Sequence, residues 1–458
     1  MPMKAPLRIA NACAFWGDQP GAAATLVSAQ PDVDFLTLDY LAEVSLSIMA
    51  IARDREPGCG YAKDFVEAVR SLCPHWAAGG RTRVVTNAGG LDPEACARAC
   101  ADVLRSSVPR PMRVAVVAGD DVVDLLRSAP GGFANAETGE PLTPVAPRLV
   151  AANAYLGHER IAEALRAGAD IVVTGRVADP SLTVGPCAAH FGWSASDYDR
   201  LAVATVAGHV IECGAQACGG FSTDWLDVPG NDSIGFPVAE VSADGGFVVT
   251  KPPGTGGAVT VQGVKEQLLY EVGDPGSYLS PDVTASFLTL RVEQAGADRV
   301  RVSGATGRAP TDAYKVSAAY RDGYRAHGLV TVFGHDAVRK ARQAGSGLLQ
   351  RLERSGCVFR EHLIECLGTG ACVRGIASRM SDTHLVETVL RVSVAADERA
   401  PVERFSREVA SLVTAGPQGV TGYTGGRPKV LPVLAYWPTL VAKSEVKPSL
   451  RILETGRP

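Results

Sequence analysis

Six short apolar segments alternate with alanine-rich stretches over the first 180 residues of the chain. Polar and apolar side chains do not alternate within these segments, which is typical of strands covered on both faces. The segments are 7–12, 33–38, 83–86, 113–118, 148–153 and 170–174. Helices are predicted between them, for example over 93–105 and 158–167. Because strands and helices succeed each other in this way, the sequence predicts βαβ units and a parallel sheet.

The pattern changes after about residue 230, where alternating segments appear. Strands are predicted at 283–293, 299–303, 315–320, 328–333 and 384–394, and helices at 337–353 and 402–413. Alternation is typical of strands with one exposed face, as in antiparallel sheets. We therefore expect an α/β protein. Its N-terminal parallel-sheet α/β domain, residues 1–235, is followed by an α+β domain, residues 236–458, with a mixed or antiparallel sheet.

The charge balance excludes several classes of protein. The 458 residues include 45 Lys and Arg against 49 Asp and Glu, which gives a net charge of −4. A nucleic-acid or anionic-membrane binder would show a basic excess. No apolar run approaches the ~20 residues of a membrane span, and the N-terminus lacks the apolar core of a signal peptide. The 11 cysteines form no Cys-x-x-Cys pair, so we expect free thiols in a cytoplasmic protein. We also predict that the protein is a homo-oligomer.

Polar residues follow several of the predicted strands at the end where ligands bind in an open parallel sheet. Asp18, Asp39 and Glu43 offer carboxylates after the first two strands. Asn87 and Arg176 follow the third and sixth strands. A carboxylate, an amide and a guanidinium could converge there on a polar ligand, with Asp39 and Arg176 orienting it. The alternative is that each residue forms an Asx turn or a helix cap.

Two glycine-rich loops are candidate anion sites. In the first, Asn87, Gly89 and Gly90 precede a predicted helix, and their backbone N–H groups could stabilise an enolate or oxyanion. A plain turn capped by Asp92 is the alternative.

The second loop follows the predicted strand 246–250. Its candidate binding residues are Lys251, Gly254, Thr255, Gly256 and Gly257. The lysine precedes the glycines, which reverses the order of a Walker loop. A phosphate, pyrophosphate or carboxylate could bind there. The alternative is a tight loop made rigid by two prolines.

His209, Glu212 and Cys213 form the densest group of reactive residues. On a helix they would share one face. A His/Glu pair is suited to proton transfer, and Cys213 could act as a nucleophile if its neighbours lower its pKa. A zinc site with Cys218 and a buried structural histidine are the alternatives. We predict no metal.

Several segments together resemble the acyclic terpene utilisation (AtuA-like) family. They are 11–18, 39–43, 85–93, 173–179, 208–216, 235–240, 251–257 and 422–428, in order over nearly the whole chain. The resemblance implies a bacterial cytoplasmic protein linked to the degradation of citronellol- or geraniol-type acids as coenzyme A thioesters. Longer members of the family append a small C-terminal domain, which this sequence does not show.

Together these patterns predict an enzyme that acts on an acyl-CoA or a related branched, carboxylated small molecule. Hydratase, isomerase or lyase chemistry would proceed by general acid–base catalysis, in which His209 and Glu212 move protons. Asp39 and Arg176 would orient the substrate, and Cys213 is the candidate nucleophile if catalysis is covalent. No cofactor is indicated beyond a coenzyme A thioester as substrate. The alternatives are a non-catalytic acyl-CoA-binding or assembly subunit of a partner enzyme, and nucleotide-dependent activation at Lys251.

Overall fold

The computed structural model describes residues 5–373, 384–422 and 426–456. Residues 423–425, within the segment 422–428 named above, therefore lie outside the described residues. The contacts divide the chain into two compact units. The first comprises Met1–Ala319 and Tyr436–Pro458, and the second Tyr320–Ala435. The boundary expected at residues 235 and 236 lies inside the first unit. As a boundary between independently folding domains it stays a prediction.

The strands follow the predicted segments closely in the N-terminal half. In chain order they are β1 (Leu7–Asn11), β2 (Phe35–Leu38), β3 (Arg83–Thr86), β4 (Arg113–Ala118), β5 (Leu149–Ala154), β6 (Ile171–Thr174), β7 (Val238–Ser242), β8 (Gly246–Thr250), β9 (Tyr278–Leu279), β10 (Thr284–Ser286), β11 (Arg291–Gly296), β12 (Arg299–Ser303), β13 (Thr306–Arg308), β14 (Ala313–Phe333), β15 (Glu361–Leu367), β16 (Glu387–Ala396), β17 (Val420–Gly422), β18 (Leu431–Ala442) and β19 (Ser449–Glu454).

The helices connect these strands. They are α1 (Ala22–Ala29), α2 (Glu43–Arg55), α3 (Lys63–Ala77), α4 (Pro93–Ser107), α5 (Val123–Ser128), α6 (Glu159–Arg166), α7 (Ser181–Phe191), α8 (Tyr198–Glu212), α9 (Val261–Leu269), α10 (Ala337–Arg354), α11 (Arg399–Glu408) and α12 (Leu412–Ala415). Within the described ranges, every helix is too short or too polar to span a membrane.

One large sheet organises the first unit. Among the described residues its order is β11-β12-β8-β7-β1-β2-β3-β6-β4-β19. The five neighbours from β1 to β4 are parallel, whereas β7 and β19 pair antiparallel on either side of them. The predicted mixed α/β class, parallel first and antiparallel later, is confirmed. The expectation that six predicted strands share the parallel sheet is wrong in one case, because β5 pairs with β14 instead.

Helices cover the parallel strands as their patterns predict. The buried face of α3 carries Phe65, Leu72 and Trp76, which pack in the core beneath β1–β3. The following helix, α4, begins where Asp92 accepts a hydrogen bond from Ala95 N at 2.9 Å, with Pro93 at its first position. Both are common devices for starting a helix.

A separate antiparallel sheet forms the second unit. β16 pairs with β14 from Tyr324↔Ala396 to Phe333↔Glu387, and with β15 on its other side. Alternate residues of β16 are buried, including Leu390, Val392 and Val394, and they share a core with α10 and α11. The predicted strands 315–320 and 328–333 are both parts of the single strand β14.

Candidate functional site

The carboxyl ends of the parallel strands lie along one edge of the large sheet. The register aligns Asn11 with Thr37, Leu38 with Thr86, and Thr86 with Val173. Asp39, Asn87 and Arg176, which directly follow these ends, are therefore brought together, as the strand pattern predicts. Asn11 donates from Nδ2 to the carbonyls of Ile211 and Glu212, both at 2.7 Å, and so ties the end of α8 to the same edge.

Asp39 is a buried carboxyl at this edge, with 5% of the residue exposed. Its Oδ1 accepts hydrogen bonds from Asn87 Nδ2 at 2.6 Å and from Leu41 N at 3.2 Å. Burial raises the pKa of Asp39 well above its usual range, and the nearby charge of Asp179 adds to the increase. The surroundings of Asp39 therefore favour the neutral form of its carboxyl group. Since Oδ1 accepts twice, a proton on this carboxyl resides on Oδ2.

The Arg176 side chain is fully buried and bound within the protein. Its guanidinium donates to Leu41 O, lies 3.1 Å from Asp179 Oδ1, and stacks on the Tyr155 ring at 4.0 Å. Its backbone N–H donates to Asp120 Oδ2 at 2.8 Å. Burial alone would lower the pKa of Arg176, but Asp179 and the neighbouring acidic groups raise it. Arg176 therefore supplies a fixed positive charge.

Glu43 differs from Asp39 in its state of ionisation. Its Oε1 accepts from Tyr155 Oη at 2.7 Å and from Lys315 Nζ at 3.2 Å. Burial raises the pKa of Glu43, but these hydrogen bonds and the charge of Arg176 lower it to about 2. Lys315 also lies 4.7 Å from the centre of the Tyr155 ring. Glu43 is therefore a carboxylate in the pH range of most cells.

His209 and Glu212 are in contact, as their three-residue spacing predicts. His209 Nδ1 lies 3.0 Å from Glu212 Oε1, and Nε2 lies 3.0 Å from the carbonyl of Gln267. The imidazole is 1% exposed and packs against Tyr278 and Phe287. Burial lowers the pKa of His209 to about 4 and raises that of Glu212 well above its usual range.

Cys213 follows α8 directly, but its environment is unsuited to a reactive thiol. Burial is the largest cause of the shift in the pKa of Cys213, and it raises that pKa. The condition under which Cys213 would act as a nucleophile, a pKa lowered by its neighbours, is therefore not met in this environment. The zinc alternative receives no support either. In the described parts of the chain, no three His, Cys, Asp or Glu side chains are placed to hold a metal ion.

The Lys251 side chain is held by its own surroundings. The loop that contains it lies at the same sheet edge as the end of β1, because Thr250 pairs with Val238 and Val238 with Ala10. Within the described residues, Lys251 Nζ donates to Thr255 O at 2.7 Å and lies 3.3 Å from Asp298 Oδ2. Binding of an anion by Lys251 stays a prediction.

The backbone amides of the same loop are also satisfied within the protein. Gly256 N donates to Ser233 O at 2.9 Å and Gly257 N to Pro229 O at 2.7 Å. Thr255 N donates to Pro252 O at 3.5 Å, and Gly254 has a left-handed φ of +78°. These three amides do not face an anion, which corrects the expectation that they form its cradle.

The loop after β3 uses its glycines for close packing. A Cβ on Gly89 would lie 2.4 Å from Thr174 O, and one on Gly90 would lie 2.2 Å from Met49 Sδ. Gly90 N donates to Asn87 O at 3.2 Å. The expected role of the Gly90 amide as an oxyanion donor is therefore wrong, whereas that of Gly89 stays a prediction.

Sequence reasoning did not include Asp120, Asp179, Tyr155 and Lys315, four residues of this cluster, among its candidate site residues. Asp179 lies three residues after Arg176, and the rule for strand ends was a sufficient signal to find it. Tyr155 and Lys315 gave no local signal. They meet because β5 pairs with β14, where Tyr155 N donates to Lys315 O at 2.9 Å.

The fold and this edge define a mixed α/β protein with a carboxyl-rich site at the ends of its parallel strands. The family model described as acyclic terpene utilisation family protein AtuA matches residues 7–452, and the chain belongs to that family. Membership indicates a role in acyclic terpene utilisation. No curated protein and no solved structure matches the chain.

Proposed function

We propose that the protein is an enzyme that performs acid–base chemistry on a branched acyl thioester or a related carboxylated molecule. One observation carries the proposal. At the same sheet edge, Asp39 is a buried carboxyl whose pKa is raised, whereas hydrogen bonds from Tyr155 and Lys315 hold Glu43 as a carboxylate. Two carboxyl groups whose pKa values are pushed apart by their surroundings are typical of an acid and a base that act together.

The roles follow from the hydrogen bonds. Asp39 carries its proton on Oδ2, since Oδ1 accepts from Asn87 and Leu41. We assign to it the donation of a proton to the substrate, and to Glu43 the acceptance of one. The fixed charge of Arg176 stabilises negative charge that develops beside it. Addition of water to an enoyl thioester, its reversal and double-bond isomerisation all require such a pair.

The test uses branched enoyl- and hydroxyacyl-CoA esters with the purified protein in D₂O, followed by mass spectrometry. We expect addition or loss of water, or deuterium incorporation, in the acyl chain. Asp39→Asn keeps the shape but removes the acid, and should lower turnover about 10²–10⁴-fold. Asp124→Asn, an exposed substitution on α5, is the matched control and should leave turnover unchanged.

The same experiment separates the two classes of function. If the unsubstituted protein binds an ester but shows neither turnover nor deuterium uptake, the enzyme hypothesis fails. The result would favour a non-catalytic binding subunit. Equal turnover by Asp39→Asn and the unsubstituted protein would remove Asp39 from the mechanism.

A further inference from the structure

We infer that Glu212 and His209 form a proton relay in which Glu212 contacts the substrate and His209, enclosed behind it, receives the proton. The inference rests on the proposed function, because it names a second group for the same acid–base chemistry.

The tautomer of His209 follows from one contact. Nε2 lies 3.0 Å from the carbonyl oxygen of Gln267. A carbonyl only accepts hydrogen bonds, so Nε2 must carry a proton. A neutral imidazole then presents Nδ1 as an acceptor, and Nδ1 faces Glu212 Oε1 at 3.0 Å. Packing against Tyr278 and Phe287 encloses the ring. Only 2% of the His209 side chain is exposed, against 13% of the Glu212 side chain, so Glu212 is the member of the pair nearer to solvent.

The proton of Glu212 follows from the same geometry. Beside a neutral His209, Oε1 makes a hydrogen bond to Nδ1 only as an O–H donor, so Glu212 is a carboxylic acid. Its second oxygen, Oε2, is buried and has no hydrogen-bond partner among the described residues. A buried acceptor without a partner destabilises the folded protein. A ligand that brings an acidic hydrogen to Oε2 would remove that destabilisation.

The relay moves two protons and leaves the charge balanced. Oε2 accepts a proton from the substrate, whose bonding electrons stay on the substrate as an anion. Oε1 releases its own proton to Nδ1. Glu212 is neutral before and after the step, and His209 becomes an imidazolium whose charge balances the substrate anion. Return of both protons completes a cycle in which a hydrogen has been removed and replaced.

The surroundings act on both members of the pair. Glu271 and Asp179 favour the charged imidazolium and also disfavour ionisation of Glu212. Arg176 opposes the second effect. Asp39, Cys213 and Tyr278 are further titratable groups that interact electrostatically with Glu212. Burial first, and then the acidic neighbours, favour the proton on Glu212 at rest, and the same acidic neighbours favour the imidazolium once it forms.

The first test needs no turnover. Nitrogen NMR of ¹⁵N-histidine-labelled, ligand-free protein at neutral pH should show His209 neutral with its proton on Nε2. Its signal is assigned by its loss in His209→Asn. Infrared spectra should contain a protonated-carboxyl band that is absent from Glu212→Gln. A doubly protonated His209, a proton on Nδ1, or an unchanged carboxyl band would overturn the relay.

The second test is kinetic. Glu212→Gln should lower kcat about 10²–10⁴-fold. His209→Asn places an amide near the position of Nδ1, where it hydrogen-bonds but takes no proton. It should lower kcat at least tenfold with KM unchanged and alter the pH profile. A purely structural histidine would leave kcat per folded molecule and its pH profile unchanged. If the unsubstituted protein has no turnover, the proposed function fails, while the spectra still decide the state of the pair.

Discussion

Asn87 joins the ends of two neighbouring strands by bonding Asp39 with one end of its amide and Tyr40 with the other. Nδ2 donates to Asp39 Oδ1 at 2.6 Å, and Oδ1 of Asn87 accepts from Tyr40 N at 2.6 Å. The side chain is fully buried. One amide thus fixes the orientation of the carboxyl group that we assign as the acid.

Replacement of Asn87 by alanine should therefore destabilise the first unit. The substitution leaves Tyr40 N without its partner and removes one donor from Asp39. Each buried polar group left unsatisfied costs about 1–3 kcal/mol. Urea unfolding should show this loss, whereas Asn231→Ala, at an exposed position, should change the free energy of unfolding by less than about 0.5 kcal/mol. Equal midpoints for the two variants would contradict the role of Asn87.

A buried pair of His158 and Asp282 makes stability depend on pH. His158 Nδ1 lies 2.8 Å from Asp282 Oδ1, and Ser181 Oγ donates to Asp282 Oδ2 at 2.5 Å. Burial opposes both charges, but the charge and hydrogen bond of Asp282 raise the pKa of His158. Those of His158 lower the pKa of Asp282.

The opposite directions of the two pKa shifts define the pH range in which the pair stabilises the protein. The contribution of His158 is complete below its unfolded pKa of about 6.5 and is lost as the pH rises through its higher folded value. The contribution of Asp282 is complete above about 3.9 and is lost as the pH falls through its lower folded value. The difference in unfolding free energy between the unsubstituted protein and Asp282→Asn should therefore be greatest between about pH 4 and 6.5. A difference that stays constant to alkaline pH would contradict the pair.

Lys251 should matter for stability more than for ligand binding. Its Nζ is held by Thr255 O and Asp298. We expect Lys251→Ala to lower the melting temperature and to leave the Kd for an acyl-CoA ester within about twofold, measured by calorimetry. Lys265→Ala, at an exposed position on α9, is the matched control for both quantities. A large loss of affinity in Lys251→Ala alone would instead support anion binding by Lys251.

Gly89 should not tolerate a methyl group. A Cβ there would lie 2.4 Å from Thr174 O and 2.7 Å from Pro93 Cβ. Overpacking of this kind costs about 1–3 kcal/mol, so Gly89→Ala should unfold at lower urea concentration. Gly347→Ala on α10 provides the contrast, because nothing lies within 4 Å of a Cβ at that position. Removal of a helical glycine should stabilise by about 0.5–1 kcal/mol. Destabilisation of both variants to the same extent would argue against a specific clash at Gly89.

Local patterns were sufficient where neighbours in sequence are neighbours in space. The strands 83–86 and 113–118 have the predicted bounds, because runs of apolar residues between turns suffice to define buried strands. The contact between His209 and Glu212 likewise follows from helical spacing. The convergence of Asp39, Asn87 and Arg176 needed one further rule, that parallel strands end at a common edge.

The sequence patterns did not predict the environment of each side chain. Nothing in the residues around Lys251 shows that Asp298 reaches it, or that the amides of Gly256 and Gly257 donate to carbonyls more than twenty residues away. The raised pKa of Cys213 depends on burial, which only the tertiary structure sets. Tyr155 lies at the site because β5 pairs with β14, and the paired residues Tyr155 and Lys315 are about 160 positions apart in sequence.

The pairing of β19 with β4 has a consequence for synthesis on the ribosome. Ser449–Glu454 pair with Arg113–Ala118, so the outer edge of β4 stays open until the last strand has left the exit tunnel. All of Tyr320–Ala435 is translated before that happens. An open strand edge is a template for wrong pairing. Any nascent chain that stalls before residue 449 therefore carries an unprotected edge, however complete the rest of its first unit has become.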